Sequence, residues 1–267
     1  MGAWSGGFVE RAEQSRRDLR GALVKEVLRR AAGRSHPPLP AHDSRELVRR
    51  KVVRMVTGLI PPAEREAVLS LIERSVIFVS SANLEQVLMD QLWDRTAWML
   101  ANLHLGTLGA ELLGPEAVPL VGLSEETTCF VSPLYVSDPE PASDFVVHEV
   151  AHIFHNCKRV TAGLLEPRRR EWLLDIAYRK RETFAYACEF HSCVLEHSSD
   201  AGSRRRLAAE AIRAKSLADD RVDPAEVADI VLEAAGSRAG WKVIRRRCSS
   251  AVGTWPQRTT QVLSQRR

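Results

Sequence analysis

The sequence predicts a helix-rich α+β fold with a small sheet. Most of its 267 residues fall in stretches with apolar side chains at helical spacing, and only three short runs are strand-like. Breaker pairs such as Pro61-Pro62, Gly114-Pro115 and Asp223-Pro224 separate the stretches. A chain of this length buries a substantial core without a metal or disulfide to staple it.

Residues 7–32 place Leu19, Leu23 and Val27, with Val24 and Leu28 beside them, on one side of a helix that ends at Gly33 and carries a basic polar face. RSHPPLPAHD, residues 34–43, reads as an extended proline-rich connector. Residues 44–59 form a second helix, Pro61-Pro62 opens a third, and SVIFVS (75–80) is β-branched and reads as a strand. A long apolar helix follows over 84–113. Its most apolar part, residues 96–110, is shorter than the roughly 20 residues a bilayer requires and holds Asn102 and His104, so a buried helix is expected and no membrane span.

VPLVGL (118–123) and TTCFVSPLYV (127–136) are two further strand candidates, with Pro133 bending the second or confining it to an edge. DPEPAS leads to FVVHEVAHIFH (145–155), a strongly apolar helix with Ser143 or Asp144 as its N-cap. Residues 171–197 are mostly helical in pattern. Two or three more helices reach about residue 250, broken near Asp223-Pro224 and Gly240, and the polar tail from Gly253 reads as disordered.

The domain reading is therefore a basic helix and connector (1–42), a central domain (43–200), a C-terminal helical region (201–252) and a tail (253–267). Lys plus Arg total 38 against 34 Asp plus Glu, a net charge of +4, which is no nucleic-acid signature by itself. Five cysteines without a C-x-x-C pair, and an N-terminus without a cationic start and apolar run, read as a reduced cytoplasmic protein without signal peptide. Gly6 stands where a myristoylation site wants a hydroxyl.

The chemistry concentrates in residues 148–152. On a helix, His148 and His152 share one face a turn apart, within reach of one cation, and Glu149 flanks the first imidazole. This is H-E-x-x-H, in which zinc brings the pKa of its bound water toward about 7 and the glutamate takes the proton as that water attacks a carbonyl. The competing reading is a core helix whose imidazoles bond to backbone or side chains. The apolar surround weighs against it, since polar groups buried there require partners.

A catalytic zinc needs a third protein ligand. The metzincin extension is excluded, because His155 and Lys158 stand where glycine and histidine belong. Downstream carboxylates are Glu166, Glu171, Glu182, Glu189 and Glu196. Glu166 precedes Pro167 in a connecting loop, and Glu171 sits beside arginines. Glu182 opens ETFAYACEF, where Ala185 and Ala187 admit a close helix and Phe184, Cys188 and Phe190 supply apolar contact, so Glu182 is the choice. Glu189, seven residues on and on the same helical face, is the runner-up.

HEVAH followed by ETFAY resembles the gluzincin zinc metallopeptidases over residues 120–197, and the short motifs are also similar to intracellular peptidases of the ImmA/IrrE type. The resemblance implies a zincin-like metallopeptidase fold, with His148, His152 and Glu182 as Zn2+ ligands and Glu149 as general base. It also implies an edge strand that pairs with an extended peptide, a role the segment 127–132 would fill. Tyr186 departs from the family pattern, standing where an aspartate orients a zinc histidine. Asp175, Glu189 or a backbone carbonyl are the replacements.

Tyr178 and Tyr186 are oxyanion-stabilising candidates and His155 a cleft residue, with core packing the competing reading for each and for His191. Cys157 and Cys188 read as small core hydrophobes. The expected function is a zinc-dependent endopeptidase acting on an intracellular protein or peptide. The alternatives are a non-catalytic zincin-like regulatory or protein-binding module, and a zinc hydrolase of non-peptide amides. The arginine-bearing C-terminal hairpin has the helix-glycine-helix shape of a nucleic-acid contact, and without a stronger basic stripe no such partner is expected.

Overall fold

A computed structural model describes residues 7–35, 44–137, 143–166, 170–198, 200–215, 217 and 219–250. Most of the predicted connector and all of the predicted tail lie outside these residues.

Among the described residues the helices are α1 (Phe8–Ala31), α2 (Ser44–Leu59), α3 (Arg65–Ser75), α4 (Leu84–Met89), α5 (Asp94–Thr107), α6 (Leu134–Ser137), α7 (Phe145–Asn156), α8 (Arg181–His197), α9 (Ala201–Ala214), α10 (Pro224–Gly236) and α11 (Gly240–Cys248). The strands are β1 (Val76–Phe78), β2 (Gly122–Glu125) and β3 (Thr128–Val131). The fold is thus helix-rich α+β with a small mixed sheet of order β1-β3-β2, in which β3 runs parallel to β1 and antiparallel to β2. No described helix is long and apolar enough to cross a membrane.

The sheet divides two hydrophobic clusters, and the period-two alternation of strand side chains does the dividing. Val76, Phe78, Cys129 and Val131 face the larger cluster, built from α2, α3, α7, α8, α10 and α11. Phe130, with Ile77 and Leu123 beside it, faces the smaller one of α1, α4 and α5. α1 joins that smaller cluster through Val24 and Val27, and buried Arg20 reaches Asp94 of α5 at 2.7 Å. Leu19 and Leu28, read as part of the apolar face, are about half exposed. The C-terminal helices share the larger core with α7 and α8, so residues 201–248 pack into the same body as the central region.

Element boundaries and strand order differ from the sequence reading at several places, and of the 118–123 run only Gly122 and Leu123 lie in a strand. The stretch 84–113 breaks into α4 and α5, because the polar Asp90-Gln91 pair sits at the junction and Trp93 takes an extended backbone as N-cap of α5. The 127–136 run stops as a strand at Val131 and turns helical after Pro133, which has no N–H for a sheet ladder. Residues 171–177 are not helical, with isolated bridges from Trp172 to Lys158 and from Ile176 to Ser249 around a bend at Leu173-Leu174, and the helix starts only at Arg181. Finally, β3 is the central strand and β2 lies at the edge. Residues 127–132 are therefore not an edge strand, and Cys129, Phe130 and Val131 are all buried whereas every β2 residue is half-buried.

Candidate metal centre

α7 starts where Asp144 caps it, accepting from the Val147 N–H at 3.1 Å. That carboxylate is itself fully buried and held by the Tyr135 hydroxyl (2.6 Å) and Ser192 (3.4 Å). With its start fixed, the helix places the His148 and His152 rings 5.3 Å apart, centroid to centroid. α8 packs against α7 through the fully buried Phe184, Ala185, Ala187 and Cys188, and the small side chains keep the two axes close.

Glu182, in the first turn of α8, closes the group. Its Oε2 lies 3.8 Å from His148 Nε2 and 3.5 Å from His152 Nε2, and the three donor atoms all fall within 4.8 Å of one another. Ligand atoms about 2.0–2.2 Å from a tetrahedral zinc stand roughly 3.3 Å apart. Two imidazoles and a carboxylate at these separations fit such an ion after small side-chain shifts.

The outward nitrogens of both rings are spoken for. The His148 Nδ1–H donates to Glu189 Oε2 at 3.1 Å. His152 Nδ1 is 3.2 Å from His155 Nε2, whose own Nδ1 is 3.0 Å from Asn156 Oδ1, and that oxygen also accepts from Arg181 at 3.3 Å. Burial, with His152 and Arg181 nearby, pushes the His155 pKa down to about 3, so His155 is neutral and its Nε2 accepts. In both chains the proton belongs on Nδ1 and the lone pair on the Nε2 that faces Glu182.

Glu189 is therefore an orienting group rather than a third ligand. It is fully buried, accepts from the Asp144 N–H at 3.1 Å and meets Lys215 Nζ at 2.5 Å. Burial alone would raise its pKa, but His148 and Lys215 outweigh that and hold it below the ordinary carboxylate range. The Tyr186 ring packs edge-on against His148 at 4.6 Å.

The remaining carboxylates lie elsewhere. Glu166 is exposed, Glu171 pairs with Lys158 and Glu196 with Lys51, both at 2.7 Å, and Asp175 faces Ser250. His191 packs against Trp241, away from this group. Cys157 and Cys188 are buried core residues, as expected.

A cleft of about 530 Å³ opens over the group, with His148, Glu149, His152 and Glu182 on one wall and Gly122, Leu123 and Ser124 of β2 on the other. A Cβ at Gly122 would come within 2.7 Å of Glu149 Oε1 and 2.8 Å of its Cγ, so the absent side chain lets the edge strand lie against this carboxylate. Tyr178 stands exposed at the rim with the Arg181 guanidinium over its ring.

Arg221 and Lys215 were not singled out from the sequence. Arg221, in the loop before α10, reaches Glu182 Oε1 at 2.7 Å while forking onto Asp219. Loop residues carry no periodicity, and only the charge-dense DDR run at 219–221 hinted at a role. No protein-family model matches the chain, and neither a curated protein nor a solved structure shows significant similarity to it.

Proposed function

We propose that this chain is a zinc metalloendopeptidase with a zincin-like fold, of gluzincin type, acting in the cytoplasm on a protein or peptide. The observation that carries the reading is the convergence of His148, His152 and Glu182 beside Glu149 at the floor of a cleft walled by an edge strand. Zinc, when bound by those three residues, supplies polarisation of a carbonyl and activation of water.

The chain's own residues divide the rest of the work. Glu189 and His155 hold the two imidazoles in the tautomer that presents Nε2. Glu149, next to His148 and facing the cleft, accepts the proton of the attacking water and returns it to the leaving amine. β2 bonds to β3 on one side, and its other side borders the cleft, which suits pairing with an extended peptide backbone. The five cysteines are free and buried, in keeping with a reducing compartment.

The test is the Glu149→Gln variant, assayed with a denatured-proteome peptide mixture alongside metal analysis. Expected are one bound zinc in both proteins and a rate lower by about 10²–10⁴-fold in the variant. Equal activity in the two proteins, or native protein that binds no zinc at micromolar metal, would reject the proposal. Zinc retained with no cleavage by either protein would favour the non-catalytic module.

A further inference from the structure

A second concavity, of about 310 Å³, lies on the far side of α8 where the start of α11 meets α2 and α9. Its lining includes Arg65, Arg204, Arg238 and Lys242, and no carboxylate is among the described residues that line it. Backbone carbonyls position two of these cations. Arg65 donates to Ile60 O at 3.1 Å and Thr57 O at 2.7 Å, and Arg204 donates to Ala235 O at 3.2 Å. Such bracing fixes the Arg65 guanidinium in place without neutralising it. Arg238 and Lys242 are exposed at the mouth.

Two further features point to a ligand. α11 begins at Gly240 with Ala239 as N-cap and no side-chain cap, and the positive end of the helix dipole there favours negative charge. His191 lines the same concavity while 98% buried by virtue of its 2% exposure, and its Nδ1 has no hydrogen-bond partner. Gly240 packs directly against this ring, since a Cβ there would stand 2.4 Å from both Cε1 and Nε2 of His191. Burial and Arg204 push the His191 pKa down to about 4, so the ring adds no charge and offers one neutral donor and one acceptor.

We propose that this concavity is an anion site for a small phosphate-bearing ligand, held by Arg65, Arg204, Arg238 and Lys242 at the N-terminus of α11. Its volume suits a small molecule. A nucleic-acid strand would call for a basic track continuing along the surface. Farther along α11, Arg246 and Arg247 both pair with Glu233, at 2.5 and 2.6 Å, which leaves Arg245, braced by Leu59 O at 3.3 Å, too little to make such a track. The site shares no residue with the cleft, so it stands independently of the peptidase reading.

The experiment is calorimetric titration of the full chain with inorganic phosphate and with a nucleoside monophosphate at fixed ionic strength. Arg238→Ala and Lys242→Ala, both at exposed positions, are compared with Arg246→Ala as a control on the same helix. Saturable binding is expected, weakened roughly tenfold or more by either pocket substitution, the size of one lost charge-assisted contact, and unchanged by Arg246→Ala. Tighter binding of the monophosphate assigns the site to an organic phosphate, and equal binding assigns it to free phosphate. No saturable binding of either probe, or binding indifferent to both pocket substitutions, would overturn the proposal. So would a single-stranded oligonucleotide that binds more tightly than either probe and loses affinity equally in all three variants.

Discussion

Two carboxylates on α8, seven residues apart and on one helical face, do different jobs. Glu182 stands in the first turn, borders the open cleft and meets the inward Nε2 atoms of both histidines. Glu189 is sealed two turns deeper against the outward Nδ1 of His148, an α7 backbone N–H and Lys215. The difference lies in surroundings rather than residue type. A carboxylate beside solvent space can exchange partners, whereas one enclosed by fixed donors stabilises the fold and sets the orientation of its neighbour.

Substitution should separate the two. Glu182→Ala is expected to lower zinc affinity by more than about 100-fold, beyond the range for an outer partner. Its metal-free stability should change by only about 0–1 kcal/mol, because the Arg221 pair it loses is largely solvent-screened. Zinc competition and urea melts read the two quantities. A Glu182→Ala protein that bound zinc normally would erase the distinction.

Glu189→Gln should show the opposite balance. Zinc affinity falls by about 10–100-fold. The metal-free protein also loses about 1–3 kcal/mol, since Lys215 keeps its charge in a site without the countercharge. Unchanged metal-free stability would show that the buried carboxylate contributes nothing to the fold.

The smallest effect on metal belongs to a pair remote from the site. Arg159 is buried and forks onto Glu64 at 2.7 and 3.0 Å. Glu64→Gln should cost about 2 kcal/mol of stability and leave zinc affinity untouched. The Arg159 bonds hold the Glu64 pKa below its ordinary 4.5, with burial a weaker opposing influence. A depressed carboxylate stabilises above its unfolded pKa, so this contribution is full at neutral pH and fades as the pH falls through and below about 4.5. Acid titration of native and variant stability should therefore converge at low pH. A gap that stayed constant below pH 4 would show that the ionised pair is not its source.

The same contrast marks how far the residues could be read in one dimension. α7 was legible in detail, with its cap narrowed to Ser143 or Asp144 and the two imidazoles placed on one face, because capping and helical periodicity act over a few residues. β1 and β3 were legible as β-branched runs and β2 only in its first two residues, yet not their order: the candidate edge became the centre, since pairing depends on β1, more than 50 residues earlier in the chain. The break at Asp90-Gln91 was missed for a related reason. Apolar spacing continues across it, and only docking of α4 and α5 around α1 separates the two helices.

By itself, then, the amino-acid order determined that His148, Glu149 and His152 would stand within about one turn of one apolar helix, because a turn of α-helix is set by local backbone geometry. It also narrowed the partner carboxylate to one face of α8. Only the tertiary structure decided that Glu182 meets the imidazoles from the cleft and Glu189 from behind, that β2 closes over Glu149, and that Arg221 and Lys215 take part at all. Those choices depend on where separate elements cross, and packing of the whole core sets each crossing.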